Sequence, residues 1–380
     1  MGVRSPGPAR RGFALAVAGS LLVTLAGGCL ADDRPTATST GAPARPSSGP
    51  PSARSGIGAA PTPKPAGPAA SPSRGGNPLA GRRFYVDPDR QAARQAEQWR
   101  SAGRSADAGL IDRIATRPVA HWLVGGDPGA TRSEVAGVTS RAARAGRLPV
   151  LVVYNIPHRD CGQFSGGGAA GAEAYRGWIR AVAAGIGSRA AVVVVEPDAL
   201  GHALDRCGPD PAQTYTLLGY AARTLKAANR DVHVYLDAGN PGWEPDPRRL
   251  ASALRSSGIA DADGFALNVA NFHRTTDNVR YGTRLSDALG GVHFVIDTSR
   301  NGTGPWPGGG TADGAPSWCN PPGRGLGRAP TSAPGLPRVD ALLWVKGPGE
   351  SDGTCRPGAP PAGQWWPEYA LELARNAAGG

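Results

Sequence analysis

Five runs of β-branched and apolar residues each deliver an acid at or just past their carboxyl end. VLVVYNIPHRD leads to Asp160, AVVVVEPD to Asp198, VHVYLD to Asp237 and VHFVID to Asp297, and ALLWVKGPGESD presents Glu350 and Asp352. With VAHWLVG before them and GFALNVAN among them, about seven strand-like runs alternate with helix-length amphipathic segments such as EAYRGWIRAVAAGIG and PAQTYTLLGYAARTLKAAN. Continuous apolar strands separated by helices imply a parallel sheet buried on both faces. A doubly wound sheet would carry a Gly-rich phosphate turn after its first strand, and this chain has none. The expected class is therefore α/β, a parallel β/α barrel of the TIM type, in which the carboxyl ends of the strands gather these acids around one opening.

The 380 residues do not all belong to that barrel. Arg4, Arg10 and Arg11 precede FALAVAGSLLVTLAGG, an apolar run too short to span a membrane and flanked like an export signal. It stops at Cys29 in LAGGCLADD, a string that resembles a bacterial lipobox with Ala26 where Leu is usual. Lipidation of Cys29 would attach the chain to a membrane, whereas cleavage near Ala31 would discard that cysteine. Arg10-Arg11 suits the twin-arginine route as well as the general one. Residues 30–76 are Pro, Ser, Thr, Ala and Gly with scattered Arg, a composition that cannot offset its ordering entropy by burial and reads as a disordered tether. Residues 77–380 are enough for one catalytic barrel.

The formal charge of +11 invites a nucleic-acid reading, but its location argues otherwise. Residues 1–76 hold eight basic and two acidic residues (8 − 2 = +6), leaving 33 basic and 28 acidic for the remainder (33 − 28 = +5). The domain's arginines are spread over helices such as DPRRLASALRSSG rather than clustered with aromatics, as solvated faces are. No nucleic-acid partner is expected, and a monomer is. Four cysteines, Cys161, Cys207, Cys319 and Cys355, lie in the domain; behind an export signal they read as two disulfides, with three pairings open. Neither CxxC nor HExxH occurs, so no metal and no cofactor is expected.

Loops after the strands are rich in Gly, Pro and Trp. The longest, NGTGPWPGGGTADGAPSWCNPPGRGLG, is long enough to be functional and carries Trp306 and Trp318. Trp122, placed just after the first strand, and Trp243 in DAGNPGW add flat apolar faces beside the acids. A sugar ring needs that combination, because its axial C–H groups stack on an aromatic while its hydroxyls bond to carboxylates.

VVYNIPHRDCGQFSGGG and VVVVEPDALG resemble the two signature segments of glycoside hydrolase family 6. NPLAGRRFYVDP, DAGNPGW, GFALNVANF, IDTSRNG, WCNPPGRGLG and WVKGPGESDG resemble further family segments in the family's order, so the likeness covers essentially all of residues 77–380. It implies a distorted barrel of about seven strands that cleaves β-1,4-glucan with inversion. Inversion needs room for a water between ring and carboxylate, with the two carboxyl groups roughly 6.5–9.5 Å apart.

The resemblance also implies roles. Asp198 matches the general acid, Asp160 the neighbour whose charge keeps it protonated, and Asp352 the residue proposed as base. Arg159 is expected to pair with a carboxylate and hold the cluster. Tyr154 matches a tyrosine under the distorted ring; Lys346 and Glu350 match hydrogen-bonding partners of the adjoining glucose; Asp237 matches a carboxylate for substrate contact and charge balance. Trp122, Trp243 and Trp318 match stacking platforms. Asp297 is expected to cap the next helix, as strand-end acids often do. Where family members carry a second Ser after HRDC this chain has Gly166, leaving Ser165 as the hydroxyl there. The implied disulfides are Cys161 with Cys207 and Cys319 with Cys355, each contributing roughly 3–4 kcal/mol in the chain-entropy account.

Family members that work from chain ends roof the site with two long loops. The stretches from Cys161 to Tyr175 and from Asp352 to the last helix are both short here, which predicts an open groove and endo-acting cleavage by an extracellular enzyme, secreted or anchored to the outer face of the cell membrane. The rival expectations are an exo-acting cellobiohydrolase of the same family and a lipid-anchored β-glucan-binding protein without catalysis.

Overall fold

The computed structural model describes residues 76–208 and 210–377, within a compact unit spanning Ala69–Gly380. The expected export signal, Cys29 and, save for Gly76, the tether lie outside the described residues. In chain order the strands are β1 (His121–Leu123), β2 (Val150–Val153), β3 (Ala191–Val195), β4 (Val232–Asp237), β5 (Gly264–Leu267), β6 (His293–Asp297), β7 (Thr311–Ala312), β8 (Ala315–Pro316) and β9 (Val339–Leu343). The helices are α1 (Gln91–Ser101), α2 (Ser105–Ala115), α3 (Pro128–Arg144), α4 (Ala172–Ile186), α5 (Ala199–Leu204), α6 (Pro211–Ala228), α7 (Pro247–Ser256), α8 (Thr275–Ala288) and α9 (Pro367–Arg375).

Seven strands form one parallel sheet in the order β1-β2-β3-β4-β5-β6-β9, and β7 and β8 make a separate antiparallel pair. Each of the seven expected runs is one of these parallel strands. Side chains alternate across them. Val150, Val152, Val192, Val194, Tyr235, Ala266, Val295, Ala341 and Leu343 fill the inside of the curl. Leu151, Val153, Val193, Val195, Val234, Leu236, Phe265, Phe294 and Leu342 pack outward with residues of α3, α4, α6, α7 and α8. A third cluster joins α1, α2 and α9 around Trp344.

The barrel is distorted because its seam is not a ladder. Thr331 occupies the free edge of β9, exchanging both backbone hydrogen bonds with Leu342 at 2.9 Å. Only beyond it does β9's continuation meet the start of β1, where Ala120 N–H donates to Trp344 O (2.9 Å) and the Trp122 indole donates to Val345 O (2.8 Å). Trp122 thus lies within β1 rather than after it. The amino-terminal end is plugged: Asn77 donates to Ser332 O and Asp340 O, and Phe84 pairs beside Leu148 at the foot of β2. The carboxyl end stays open.

Three helices begin at Asp-Pro. Asp127, Asp210 and Asp246 each accept a first-turn N–H at 2.9 Å, and the following proline takes the first helical position, where no N–H is needed. Two helices went unforeseen: α5, only six residues long, and α2, which buries Ala108, Ile111 and Ile114 at a spacing of three.

Strand-end acids act as stitches between strands. The Asp297 carboxylate, instead of capping a helix, accepts N–H groups from Ala270 (3.1 Å), Ser299 (2.9 Å), Val345 (3.2 Å) and Lys346 (3.0 Å), tying the loops after β5, β6 and β9 together. Glu196 does the same for β2 and β3 through Asn155 and Ile156 N–H. Asp297→Ala would strand four buried donors, so its unfolding free energy is expected to fall by about 3–5 kcal/mol. A urea denaturation midpoint matching the parent protein's would contradict this role.

Candidate active site

The open end carries a cleft of about 1320 Å³. That exceeds the roughly 300–1,000 Å³ of a small-molecule pocket and suits an extended ligand. Its walls include Asp160, Asp198, Asp352, Tyr154, Arg159, Trp122, Trp243, Trp318, Lys346 and Glu350, so ten of the eleven expected catalytic and substrate-binding residues meet there. Asp237 is not on the wall. It stands behind Asp198 with Oδ2 accepting N–H groups from Asp198 (3.0 Å) and Gly239 (3.1 Å), and among the described residues Oδ1 has no hydrogen-bond partner.

Asp198 begins α5 in the left-handed conformation (φ 71°), two residues after Glu196 at φ 49°. Such geometry costs a non-glycine residue roughly 1–2 kcal/mol. The Glu196 stitch and the Asp198 N–H bond to Asp237 hold it. Burial, then the negative charge of Asp237, push the Asp198 carboxyl up to about 8, with His202 opposing and Asp160 and Asp352 reinforcing. Burial raises Asp237 as well, against the hydrogen bonds it accepts. The Asp198 carboxyl thus lines the cleft with its pKa raised above the ordinary carboxylate range.

Asp352 is the opposite case. Burial alone would raise it, but Arg300 and then Lys346 outweigh that and hold it below the usual carboxylate range. Its Oδ2 accepts from Arg300 Nη1 (2.8 Å) and Asn320 N–H (2.9 Å), while Lys346 Nζ lies 3.5 Å from Oδ1. Asn320 also accepts the Asp352 N–H (2.8 Å) and donates to Ser351 Oγ and Gly353 O. This is a fixed anion with little appetite for a proton.

Asp160 shares the cleft with both, on a loop where His158, Asp160 and Cys161 all have positive φ. Its Oδ2 accepts Ser165 N–H (2.7 Å) and its Oδ1 is 3.6 Å from His202 Nε2. Arg159 does not pair with a carboxylate among the described residues. Its guanidinium donates to the carbonyls of Tyr154 (2.7 Å), Ser165 (2.8 Å), Val124 (3.1 Å) and Gly166 (3.4 Å) and lies 4.7 Å from the Tyr154 ring centre. It shapes the loop, because the adjacent turn exposes more carbonyls than acids. At Gly166 a Cβ would come within 2.8 Å of Gly162 Cα, so this loop has no room for the serine common at that place.

Cys161–Cys207 and Cys319–Cys355 are both formed, bracing the loops of Asp160 and Asp352. His202 sits beside the first, but its two sulfurs are bonded to each other and offer no thiolate pair to a metal. Phe164 packs against Gly353 and lies 6.0 Å, ring to ring, from Trp318, so the two braced loops touch. Trp122 meets the Tyr154 ring edge-on at 5.2 Å. Trp243 lies against Gly201, its indole N–H donating to Asp205 Oδ2 (2.7 Å), with the His202 ring edge-on at 5.0 Å. Glu350 is met by Arg90 at 3.4 Å, whose other bonds go to Val119 O and Ala120 O at the seam.

Arg300, Asn320, Glu196, His202, Arg90 and Phe164 were not singled out from the sequence. IDTSRNG and WCNPPGRGLG contain the first two, but nothing in a lone arginine or asparagine announces a buried partner for an acid 52 or 32 positions later.

The statistical model of the family described as Glycosyl hydrolases family 6 matches residues 79–377. Endoglucanase A of Cellulomonas fimi is 45% identical over 295 residues, covering 77% of this chain and 61% of its own length. Endoglucanase A of Thermobispora bispora is 42% identical over 301 residues, covering 78% and 62%. The chain therefore spans about three fifths of the length of these two curated relatives. Among solved structures, the endoglucanase Cel6 of Mycobacterium tuberculosis, in complex with methyl-cellobiosyl-4-deoxy-4-thio-β-D-cellobioside, superposes with a TM-score of 0.73 at 44% identity, over 79% of this chain and 99% of that one.

Gly201 is the structural condition for the Trp243 platform, since a Cβ there would lie 2.6 Å from the indole. Gly201→Ala is expected to displace Trp243 and break its bond to Asp205, the overpacking outweighing alanine's advantage of about 1 kcal/mol as a helix former. The indole N–H resonance assigned through Trp243→Phe should shift in the alanine variant; an unmoved resonance would refute the packing argument.

Proposed function

The chain belongs to glycosyl hydrolases family 6, and from that membership we propose that it is an endo-acting β-1,4-glucanase that hydrolyses cellulose or a related glucan with inversion. The observation that carries the reading is the Asp198 carboxyl, raised by burial and by Asp237, lining an extended cleft that it shares with Asp160 and with Asp352, which Arg300 and Lys346 hold low. Inverting hydrolysis needs one carboxyl that holds a proton and another that does not, on either side of the ring.

Asp198 donates its proton to the glycosidic oxygen as the C1–O bond breaks. A water adds to C1 from the opposite face, and the proton it loses is taken up by the Asp160 carboxylate, so that one proton leaves Asp198 and one arrives on Asp160 in each turnover. Asp352, held as an anion by Arg300 and Lys346, is better suited to stabilising the positive charge that develops at the ring than to taking a proton. Asp160 contributes its negative charge to keeping Asp198 protonated. Asp237 acts behind Asp198, through that residue's backbone and charge. Tyr154, backed by Trp122 and the Arg159 guanidinium, forms the floor under the ring at the point of cleavage. Trp122, Trp243 and Trp318 stack glucosyl units, and Lys346 and Glu350 bond their hydroxyls. A binding protein without chemistry would have no use for an acid kept neutral at this cost in burial and strain.

Short loops support endo action. Asp160 is followed by α4 at Ala172 and Asp352 by α9 at Pro367, with no long roofing insertion between. Four relatives named endoglucanase are 40–45% identical to this chain and a fifth, from Humicola insolens, is 31% identical, where those named exoglucanase or cellobiohydrolase are 28–30% identical. Two disulfides fit an oxidising compartment outside the cytoplasm. The enzyme is either released there or, if Cys29 is lipidated, held at the outer face of the cell membrane.

The anomeric form of the product tests the reading most directly. Proton NMR of a cello-oligosaccharide digest should show the new reducing end first as the α anomer; β product would exclude inversion and this pairing of roles. Asp198→Ala should lower kcat on the same oligosaccharide by about a thousandfold while sparing much of the activity on a substrate whose leaving group needs no proton. Because the Asp198 carboxyl is raised, parent activity should persist above the ordinary carboxylate range and fall as pH climbs through about 8, where that proton is lost. Equal losses on both substrates, or an alkaline limb unchanged in the variant's residual activity, would reject Asp198 as the donor.

A further inference from the structure

The segment between β6 and β9 builds more than the Trp318 platform. It folds on itself as a hairpin: Asp313 and Gly314, between β7 and β8, both have positive φ (49° and 82°), as a type I′ turn requires. Gly309 N–H donates to Trp306 O (3.3 Å) and Ser317 N–H to Gly310 O (2.9 Å), closing the loop below the hairpin. Pro305, Trp306, Gly309, Gly310 and Ser317 all line the cleft.

Trp306 is held from behind. The Arg324 guanidinium lies 5.7 Å from its ring centre and is only 8% exposed. It donates to Gly304 O (2.6 Å), Pro305 O (2.9 Å) and Pro322 O (3.1 Å). A buried cation bonded to the carbonyls of the two residues before Trp306 fixes the seat of the indole.

The contacts also say which end of the cleft this is. A Cβ on Gly304 would lie 2.8 Å from the Arg274 guanidinium, and Asn301 donates to His273 O (3.0 Å). The His273 ring in turn fills the space above Gly242, within 2.7 Å of where a Cβ would be, next to Trp243. Both His273 and Trp306 are half-buried and open to the cleft, whereas Trp122 is tied to the barrel seam by Val345.

We propose that Trp306 and His273 form a glucosyl-binding subsite at the Trp243 end of the cleft, Trp306 offering a stacking face and His273 a hydrogen-bonding ring. The subsite rests on the glucanase reading and deepens it, since it makes productive binding depend on chain length. A pyranose stacks its axial C–H face on an indole, and the ring nitrogens of a histidine serve its hydroxyls.

The test is steady-state kinetics of parent, Trp306→Ala and Trp306→Phe on cellotriose through cellohexaose. The alanine variant should lose affinity progressively with length, its KM rising about fivefold to tenfold on cellohexaose with little change in kcat, and phenylalanine should recover most of it. His273→Ala should follow the same length dependence more weakly. A loss equal at every length, or none on cellohexaose, overturns the subsite while leaving the glucanase reading intact. A parent protein inert on all four oligosaccharides removes the glucanase reading, and the subsite with it.

Discussion

Carboxylates stitched to backbone N–H groups at the rim of the barrel are the interaction on which the rest depends. Glu196 binds the end of β2 to β3, Asp237 binds the loop after β3 to the end of β4, and Asp297 binds the loops after β5, β6 and β9. Each is buried, so each bond is made where water cannot compete and an unmet donor would be costly. Strand ladders alone do not close this barrel, because the seam between β1 and β9 carries isolated hydrogen bonds in place of a ladder. The stitches fix loop positions that the ladders leave free.

Those positions set the electrostatics of the cleft. Asp198 is held at a left-handed backbone angle by the Asp237 stitch, and the same Asp237 charge, after burial, raises its carboxyl. Lys346 is placed by the Asp297 stitch to its own N–H, and from there its ammonium helps hold Asp352 as an anion. One set of acids therefore tunes another in opposite directions. A carboxyl near a buried acid is raised; a carboxyl near a guanidinium and an ammonium is lowered. That difference is what the proposed division of labour between Asp198 and Asp352 requires.

The platforms depend on absent side chains as much as on aromatic ones. Trp243 can lie on α5 because Gly201 has no Cβ, and Phe164 can reach Gly353 for the same reason. These contacts join loops already braced by the two disulfides. The floor of the cleft is thus sheet and its walls are loops held at both ends, which suits the side entry of a long chain that the proposed endo action requires.

Seven strands, their order along the chain and the clustering of acids at one end were legible in the sequence, because alternation and β-branching act locally and leave a periodic trace. VVYNIPHRDC, VVVVEPDALG and WVKGPGESDG carried Asp160, Asp198, Asp352, Tyr154, Lys346 and Glu350 to the cleft, and the cysteine pairing followed from the same likeness. What the sequence could not contain is the division of the strand-end acids: Glu196 and Asp198 share one EPD, yet one turns inward to backbone donors and the other faces the cleft. Nor could it give Arg159 its carbonyl partners, Asp352 its partners Arg300 and Asn320, or Trp306 the Arg324 guanidinium behind it. Those facts depend on burial and on groups brought together from distant parts of the chain. Local pattern decides which elements form and which residues stand at their ends, and only the closed packing of those elements decides which charges meet, and so which carboxyl is raised and which is lowered.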